Sequence, residues 1–321
     1  MKNGERQMKE SEIRGMKIGV LMGGLSRERE ISLKTGAAIL KALSEKGYRV
    51  QAIDVGNDIA EVLIREKVEF AFVALHGRFG EDGSIQGLLE LMRIPYTGSG
   101  VLASALAMDK VVCKRVFVAE KIPTPAYEVY SREALEKESG IRLSLPLPVV
   151  VKPAREGSTI GVSIVRERGE LIPALKKAAE CDEDLLVEAF VKGKEVTVGL
   201  LDGTPLPIIE IAPKSGFYDY RSKYTRGETQ YIVPARLSKE KYLLAHEMSV
   251  KAFKAIGCSG CVRVDLMVDE EENPYVIDVN TMPGMTETSL VPQAAQHAGI
   301  SFGDLAERIL LGASLKIDCG K

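Results

Sequence analysis

Short apolar runs alternate with amphipathic stretches from Lys17 onward, and the alternation predicts strands and helices in turn. Lys17-Ile-Gly-Val-Leu-Met22 is an apolar run stopped by Gly23-Gly24, the pattern of a strand buried on both faces of a parallel sheet. Ser26 is a candidate helix cap, with Glu28 and Glu30 in the first turn. Ile31, Ala38, Ile39 and Ala42 recur on one helical face, and Gly47 closes the helix. Arg49 to Val55 and Phe70 to Leu75 read as the second and third strands. Strand, helix and strand in alternation predict an open α/β sheet. Such sheets bind ligands at the carboxyl ends of their strands, where Gly23-Gly24 and His76-Gly77 lie.

After Pro95 the pattern changes. Val101 to Glu120 reads as one helix, ended by Lys121-Ile-Pro-Thr-Pro125. Leu147 to Lys152 and Val162 to Val165 read as strands around the loop Arg155-Glu-Gly-Ser-Thr-Ile-Gly161, a hairpin with a glycine-rich tip. Leu185 to Glu188 and Glu195 to Leu201 continue the β-rich pattern. Residues 214–231 form a polar, tyrosine-rich loop, long enough to expect a functional or disordered segment. Lys239 to Ile256 reads as a helix, followed by the strand pair Cys261–Val268 and Tyr275–Asn280. Residues 1–15 are polar and aperiodic, without the apolar core of a leader peptide. They read as a disordered extension, with Met16 as an alternative start.

A chain of 321 residues suggests two or three domains. The formal net charge of -2 argues against nucleic-acid or membrane-surface binding through bulk positive charge. Trp is absent, and no apolar run is long enough to span a bilayer. The composition is that of a soluble cytoplasmic protein. Cys113, Cys181, Cys258, Cys261 and Cys319 are odd in number and scattered, as expected for reduced thiols. Cys258-Ser-Gly-Cys261 lacks a second pair or nearby histidines for zinc, so these thiols read as core filler.

The final strand pair carries the most chemistry. With Val268 opposite Tyr275, Asp265 falls opposite Asp278 and Arg263 opposite Asn280, so all four share one face. Two carboxylates and an amide carbonyl are hard oxygen ligands suited to Mg²⁺ carrying nucleotide phosphates. The nearby Arg suits a phosphoryl group or an oxyanion. The same spacing also fits a solvated hairpin face with a surface ion pair. In the loop after Lys152, Gly157, Ser158 and Gly161 could offer backbone N–H groups to phosphates; an ordinary hairpin tip would also take glycine, for turn geometry. No Walker A pattern occurs. Gly98-Ser-Gly-Val-Leu-Ala103 matches a dinucleotide fingerprint weakly, because Ile94-Pro-Tyr before it is a poor central strand. His76 follows an apolar strand and is the histidine best placed for function, whereas His246 and His297 read as surface residues.

Taken together, separate segments carry a family likeness. The matching segments are Met22-Gly-Gly-Leu-Ser-Arg-Glu-Arg-Glu-Ile-Ser32, Leu75-His-Gly-Arg-Phe-Gly-Glu-Asp-Gly83, Pro95-Tyr-Thr-Gly-Ser-Gly100 and Met108-Asp-Lys110. They continue with Val151-Lys-Pro-Ala-Arg-Glu-Gly-Ser158, Phe217-Tyr-Asp-Tyr-Arg-Ser-Lys-Tyr224, Arg263-Val-Asp265, Asn280-Thr-Met-Pro-Gly-Met285 and Ser289-Leu-Val-Pro292. Each is weak alone. In this order and at this spacing they are specific, and the chain resembles the D-alanine–D-alanine ligases of the ATP-grasp superfamily.

The resemblance implies an α/β N-terminal domain over 16–98 and two ATP-grasping α+β subdomains over 99–188 and 189–321, with a mobile loop at 214–231. It implies that ATP phosphorylates one D-alanine and that the amine of a second attacks the acyl phosphate, giving D-alanyl-D-alanine for peptidoglycan. Close alternatives are ligases making D-alanyl-D-lactate or using another amine; an NAD-dependent oxidoreductase is a reading of a different class.

By resemblance, Glu28 holds the ammonium of the first D-alanine, with Ser158 and Tyr224 as its hydrogen-bonded partners. Lys110 and Lys152 bind phosphates, and Lys223 reaches the γ-phosphate when the loop closes. Glu188 and Glu195 hold adenine and ribose, the first beside the backbone of Phe190 and Val191. Asp265, Asp278 and Asn280 match ligands of two Mg²⁺ or Mn²⁺ ions, although many relatives have the longer Glu where Asp278 stands. Arg263 and the Gly284 N–H match the oxyanion site. Ser289 and Leu290, with His76 nearby, match the site of the second D-alanine. The family also suggests a homodimer.

Overall fold

The computed structural model describes residues 10–137, 141–157, 159–213 and 229–317. Three sheets organise these residues. The first is parallel, with β1 (Ile18–Gly23) between β2 (Val50–Val55) and β3 (Phe70–Val73). Every residue of β1 is buried, as its uninterrupted apolar run predicts. Helix Arg29–Glu45 packs on this sheet and against helix Phe302–Leu311. Its buried face is Ser32, Thr35, Gly36, Ile39, Ala42 and Leu43, turned from the expected one, with Ile31 and Ala38 only half-buried. The turn comes from Gly36, which lets the helix backbone sit on Met22; a Cβ there would lie 2.5 Å from the Met22 Cβ. Residues 10–15, expected within a disordered extension, form a short helix instead. Its Ile13 is buried in the same core, and its Arg14 donates 2.5 Å to the Lys46 carbonyl.

The second sheet is antiparallel in the order β4 (Tyr127–Ser131), β7 (Asp184–Ala189), β5 (Val149–Pro153), β6 (Ser163–Val165). The hairpin with the glycine-rich tip is therefore β5–β6. The third sheet runs β11 (Thr229–Ile232), β10 (Ile209–Pro213), β8 (Gly193–Leu201), β12 (Cys261–Asp269), β13 (Pro274–Asn280), with β9 (Thr204–Pro205) on β8. Helix Lys239–Ile256 covers one face of this sheet, with buried Val196, Val198, Val264 and Leu266 beneath it. The other face stays open toward the second sheet and carries the polar alternation of β12.

The single helix expected over Val101–Glu120 is two, Val101–Met108 and Lys110–Ala119. Asp109 separates them with an extended backbone, and its carboxylate accepts from the Val112 N–H as an N-cap. The break sets Lys110 at the start of a new helix, with its side chain aimed at the third sheet. Gly98, the start of the weak dinucleotide pattern, abuts Gly260, where a Cβ would lie 2.9 Å from the Gly98 Cα. Ser99 and Ser259 hydrogen-bond across the same contact. These glycines serve a backbone-to-backbone approach.

Gly36→Ala tests the seating of the first helix. Alanine favours a helix interior by about 1 kcal/mol, but contact with the Met22 Cβ on a rigid strand opposes it. A net loss of about 1–3 kcal/mol is expected, seen as a lower urea midpoint at unchanged slope; an unchanged or higher midpoint would contradict this packing.

Candidate active site

The strand pair β12–β13 brings its four polar residues together. Arg263 pairs with Asn280, and Asp265 pairs with Asp278. Beyond Asp265 the register shifts, so Tyr275 faces Met267 and Val268 faces Pro274, one step from the expected pairing. The irregularity is a β-bulge. It leaves Ile277 and Asp278 consecutively half-exposed, where a regular strand would bury one of them. The bulge therefore restores the expected pairing at the polar residues and adds Ile277 to the open face.

The geometry of this cluster is tight. The Arg263 fork donates to both Asp265 oxygens, at 2.9 Å from Nε and 2.9 Å from the terminal nitrogen. Thr197, opposite Asp265 on β8, donates its hydroxyl to Asp265 Oδ1 at 2.6 Å. Asn280 Oδ1 accepts from the Met282 N–H at 2.9 Å, which turns β13 into the following loop. The Lys110 ammonium lies 3.4 Å from Asp278 Oδ2 and donates to the Glu156 carbonyl at 3.1 Å. Burial acts to lower the Lys110 pKa, but the charge and hydrogen bond of Asp278, together with smaller contributions from Cys113 and Glu81, outweigh it and the pKa ends above its ordinary value. Asp265 and Asp278 are paired across the strands with Asn280 two residues on, an all-oxygen donor set whose chemical hardness suits Mg²⁺ or Mn²⁺.

A cleft of about 440 Å³ opens between the second and third sheets. Lys110, Lys152, Glu188, Phe190, Val191, Glu195, Asp265, Asp278 and Asn280 all line it, as does Arg263. Met267, Ile211 and Ile277 supply apolar walls that sequence reasoning missed. Glu188 is buried at its base, paired with both Lys152 and Lys114. Burial pushes the Glu188 pKa up, yet the two ammonium groups outweigh it and hold the carboxyl below its usual range. Burial, with the like charge of Lys152, pulls Lys114 down to about 8 despite its pairing with Glu188.

A second cavity of about 440 Å³ lies between the first and third sheets. Glu28, His76, Gly284, Ser289 and Leu290 line it. Glu28 is the N-cap of its helix rather than a first-turn residue. Ser26 does not cap that helix from the expected place: its hydroxyl donates 2.6 Å to the His76 carbonyl and accepts from the Glu28 N–H. Glu28 fits between two glycines. A Cβ at Gly77 would lie 2.9 Å, and one at Gly157 3.2 Å, from Glu28 Oε2. His76 is buried, with its ring nitrogens 3.0 Å from the Thr35 hydroxyl and 3.3 Å from Glu81. Ser289 begins helix Leu290–His297, whose N-terminus opens on the cavity and favours negative charge there. The two cavities share Gly157, Glu195, Ile211, Arg263, Asp265 and Asn280. Ser158, Lys223 and Tyr224 lie outside the described residues.

The remaining candidates are structural. Cys258 and Cys261 are buried, and burial pushes each thiol up to about 12. The His246 Nε2 lies 3.1 Å from the Leu206 carbonyl, and burial lowers its pKa.

The chain is similar to known proteins in sequence and fold. Residues 55–99 match the model of the D-ala D-ala ligase N-terminus, and residues 116–311 that of the D-ala D-ala ligase C-terminus. A D-alanine–D-alanine ligase from Syntrophotalea carbinolica is 56% identical over 310 residues, covering 96% of this chain and 100% of its own. The D-alanine–D-alanine ligase of Bacillus anthracis, in a crystal structure complexed with ATP, has a TM-score of 0.81 at 35% identity, covering 93% of this chain and 97% of that one. The VanG D-Ala:D-Ser ligase from Enterococcus faecalis has a TM-score of 0.78 at 30% identity, over 92% and 98%. Fold and cleft define an ATP-grasp enzyme, an ATP-dependent ligase. Within that class, the chain belongs to the D-alanine–D-alanine ligase family.

The cleft generates a binding prediction. ATP with Mg²⁺ at a hundred times its Kd should stabilise the protein by about 2.7 kcal/mol, read as a rise in Tm. NAD should leave Tm unchanged, because Gly98 packs on Gly260 and Gly100 on Lys316. A shift with NAD and none with ATP would contradict the reading of the cleft.

Proposed function

We propose that this enzyme joins two D-alanines at the junction of its two cavities. The observation that carries the reading is that Arg263, Asp265 and Asn280 belong to both cavities. A nucleotide in one and an amino acid in the other would meet there.

In this reading Glu28 fixes the ammonium of the first D-alanine, which points its carboxylate toward the γ-phosphate. Lys110 and Lys152 draw the phosphates, and the walls at Phe190, Val191, Met267 and Ile277 take the adenine, with Glu188 at its polar edge and Glu195 at the ribose. A carboxylate oxygen attacks the γ-phosphorus, the bond to the ADP oxygen breaks, and an acyl phosphate forms. The second D-alanine lies with its carboxylate at Ser289 and Leu290, against the helix N-terminus, with His76 beside it. Its amine, after losing a proton, attacks the acyl carbon. The tetrahedral adduct places negative charge near the Arg263 fork and the Gly284 N–H, then collapses and expels phosphate. The acyl phosphate must be kept from water. We assign that task to the loop at 214–231, and assign Ser158 and Tyr224 to the first substrate and Lys223 to the γ-phosphate, on the family resemblance. Asp265, Asp278 and Asn280 would hold Mg²⁺ or Mn²⁺, two ions by resemblance, which when bound neutralise phosphate charge. The same resemblance supports a homodimer. A cytoplasmic setting suits the use of ATP and the free thiols of Cys113, Cys181, Cys258 and Cys261.

The test is phosphate release with ATP, Mg²⁺ and a panel of D- and L-amino acids, with dipeptide counted. D-alanine should release one phosphate per dipeptide; equal turnover of L-alanine would overturn the assignment. Asp265→Asn and Asn280→Ala should each lose at least about a hundredfold in activity. Thr197→Val keeps the side-chain shape but removes the donor to Asp265, and should raise the Mg²⁺ needed for half-maximal rate by about tenfold. Near-normal activity in all three variants would refute the assignment of these residues.

A further inference from the structure

Lys114 is a buried lysine that no step above uses. It lies on helix Lys110–Ala119, only 1% exposed, and it does not line the nucleotide cleft. Its ammonium contacts one Glu188 oxygen, donates to the Thr124 hydroxyl at 2.6 Å and reaches the Pro125 carbonyl at 3.4 Å. The Thr124 hydroxyl in turn donates to the Val276 carbonyl at 2.7 Å, which ties this point to β13. Lys152 contacts the other Glu188 oxygen from the cleft side. One carboxylate, 3% exposed, therefore holds two ammonium groups, a fixed one below and one facing the cleft.

This charge count matters once a nucleotide enters. Lys152 is a single point charge on a flexible stem, and it cannot serve a buried carboxylate and a phosphate or purine nitrogen equally well. A buried carboxylate that loses its only cation carries a large penalty. With Lys114 in place, Glu188 stays compensated when Lys152 turns to the nucleotide. Without Lys114, every nucleotide contact made by Lys152 would leave Glu188 uncompensated.

We propose that Lys114 is a positioning residue for ATP: it is the permanent counter-ion of Glu188 and so releases Lys152 to the nucleotide. The proposal rests on the assignment of this cleft to ATP. It makes the effect specific to nucleotide affinity. It also makes the effect conditional on the charge of Glu188, which a purely packing role for Lys114 would not be.

The experiment measures the Kd of a non-hydrolysable ATP analogue with Mg²⁺ by calorimetry, together with kcat and the KM for ATP. Four full-length proteins are compared: wild type, Lys114→Met, Glu188→Gln, and the double variant. Lys114→Met should raise Kd and KM at least about tenfold while kcat falls less than about threefold. In the Glu188→Gln background, where no carboxylate needs a counter-ion, the same substitution should change Kd less than about threefold. Equal losses in the two backgrounds, or an unchanged Kd in Lys114→Met, would overturn the proposal while the wild type still bound ATP and formed dipeptide. A wild type that binds no ATP would overturn the ATP assignment and this proposal together. If Lys114→Met fails to fold, Lys114→Gln takes its place in the same cycle, with the same expected difference between backgrounds.

Discussion

The register of β12 against β13 is the constraint on which the site depends. Side chains on a strand alternate between faces, so a slip of one residue would bury Asp265 and Asp278 beneath the sheet and expose Val264 and Val279. The bulge after Asp265 sets that register. Toward the turn, the pairing keeps Val268, Leu266 and Val276 in the core. Toward the following loop, the extra residue swings Asp278 and Asn280 onto the same open face as Arg263 and Asp265. The apolar side of the hairpin fixes the polar side, because helix Lys239–Ile256 covers the apolar side and leaves those residues only one way to face.

Around that hairpin the rest of the molecule supplies reach and charge. The break at Asp109 starts a new helix and aims Lys110 at Asp278. Asp109 also accepts from Arg155 at 2.8 Å, and Arg155 pairs with Asp182 and Asp184 as well, so the start of the glycine-rich loop is held from below. The first sheet contributes Glu28, seated where Gly77 and Gly157 leave room for it. A side chain at either would press on the Glu28 carboxylate, and Gly77 also has the left-handed φ of +70° that favours glycine. Residues from or beside each of the three sheets line the two cavities that meet at Arg263, Asp265 and Asn280.

Much of this was legible in the chain. The all-apolar β1, the helix Lys239–Ile256 and the polar alternation of β12 are local patterns, and local patterns survive folding when burial agrees with them. The grouping of Asp265 and Asn280 came from strand spacing, whereas the role of Glu28 came from the family resemblance alone. What spacing could not reveal was long-range. Thr197 reaches Asp265 only because β8 lies beside β12, a pairing across more than sixty residues of chain. The bulge is invisible to strict alternation, which placed Val268 opposite Tyr275 and still arrived at the right polar pairs. Lys114 went unnoticed in the sequence. The signal was its place between Val111 and Phe117, at three-residue intervals on one buried helix face. The expected long helix failed at Asp109, where a cap chemistry that suits an N-terminus outweighed the apolar periodicity.

The central claim is that a carboxylate of the bound amino acid and the γ-phosphate of ATP meet at Arg263, Asp265 and Asn280. The most direct measurement is the fate of oxygen label from D-alanine carrying ¹⁸O in its carboxylate, turned over with ATP and Mg²⁺. The account predicts one ¹⁸O in each phosphate released and none in ADP. Unlabelled phosphate, or label recovered in AMP, would contradict it.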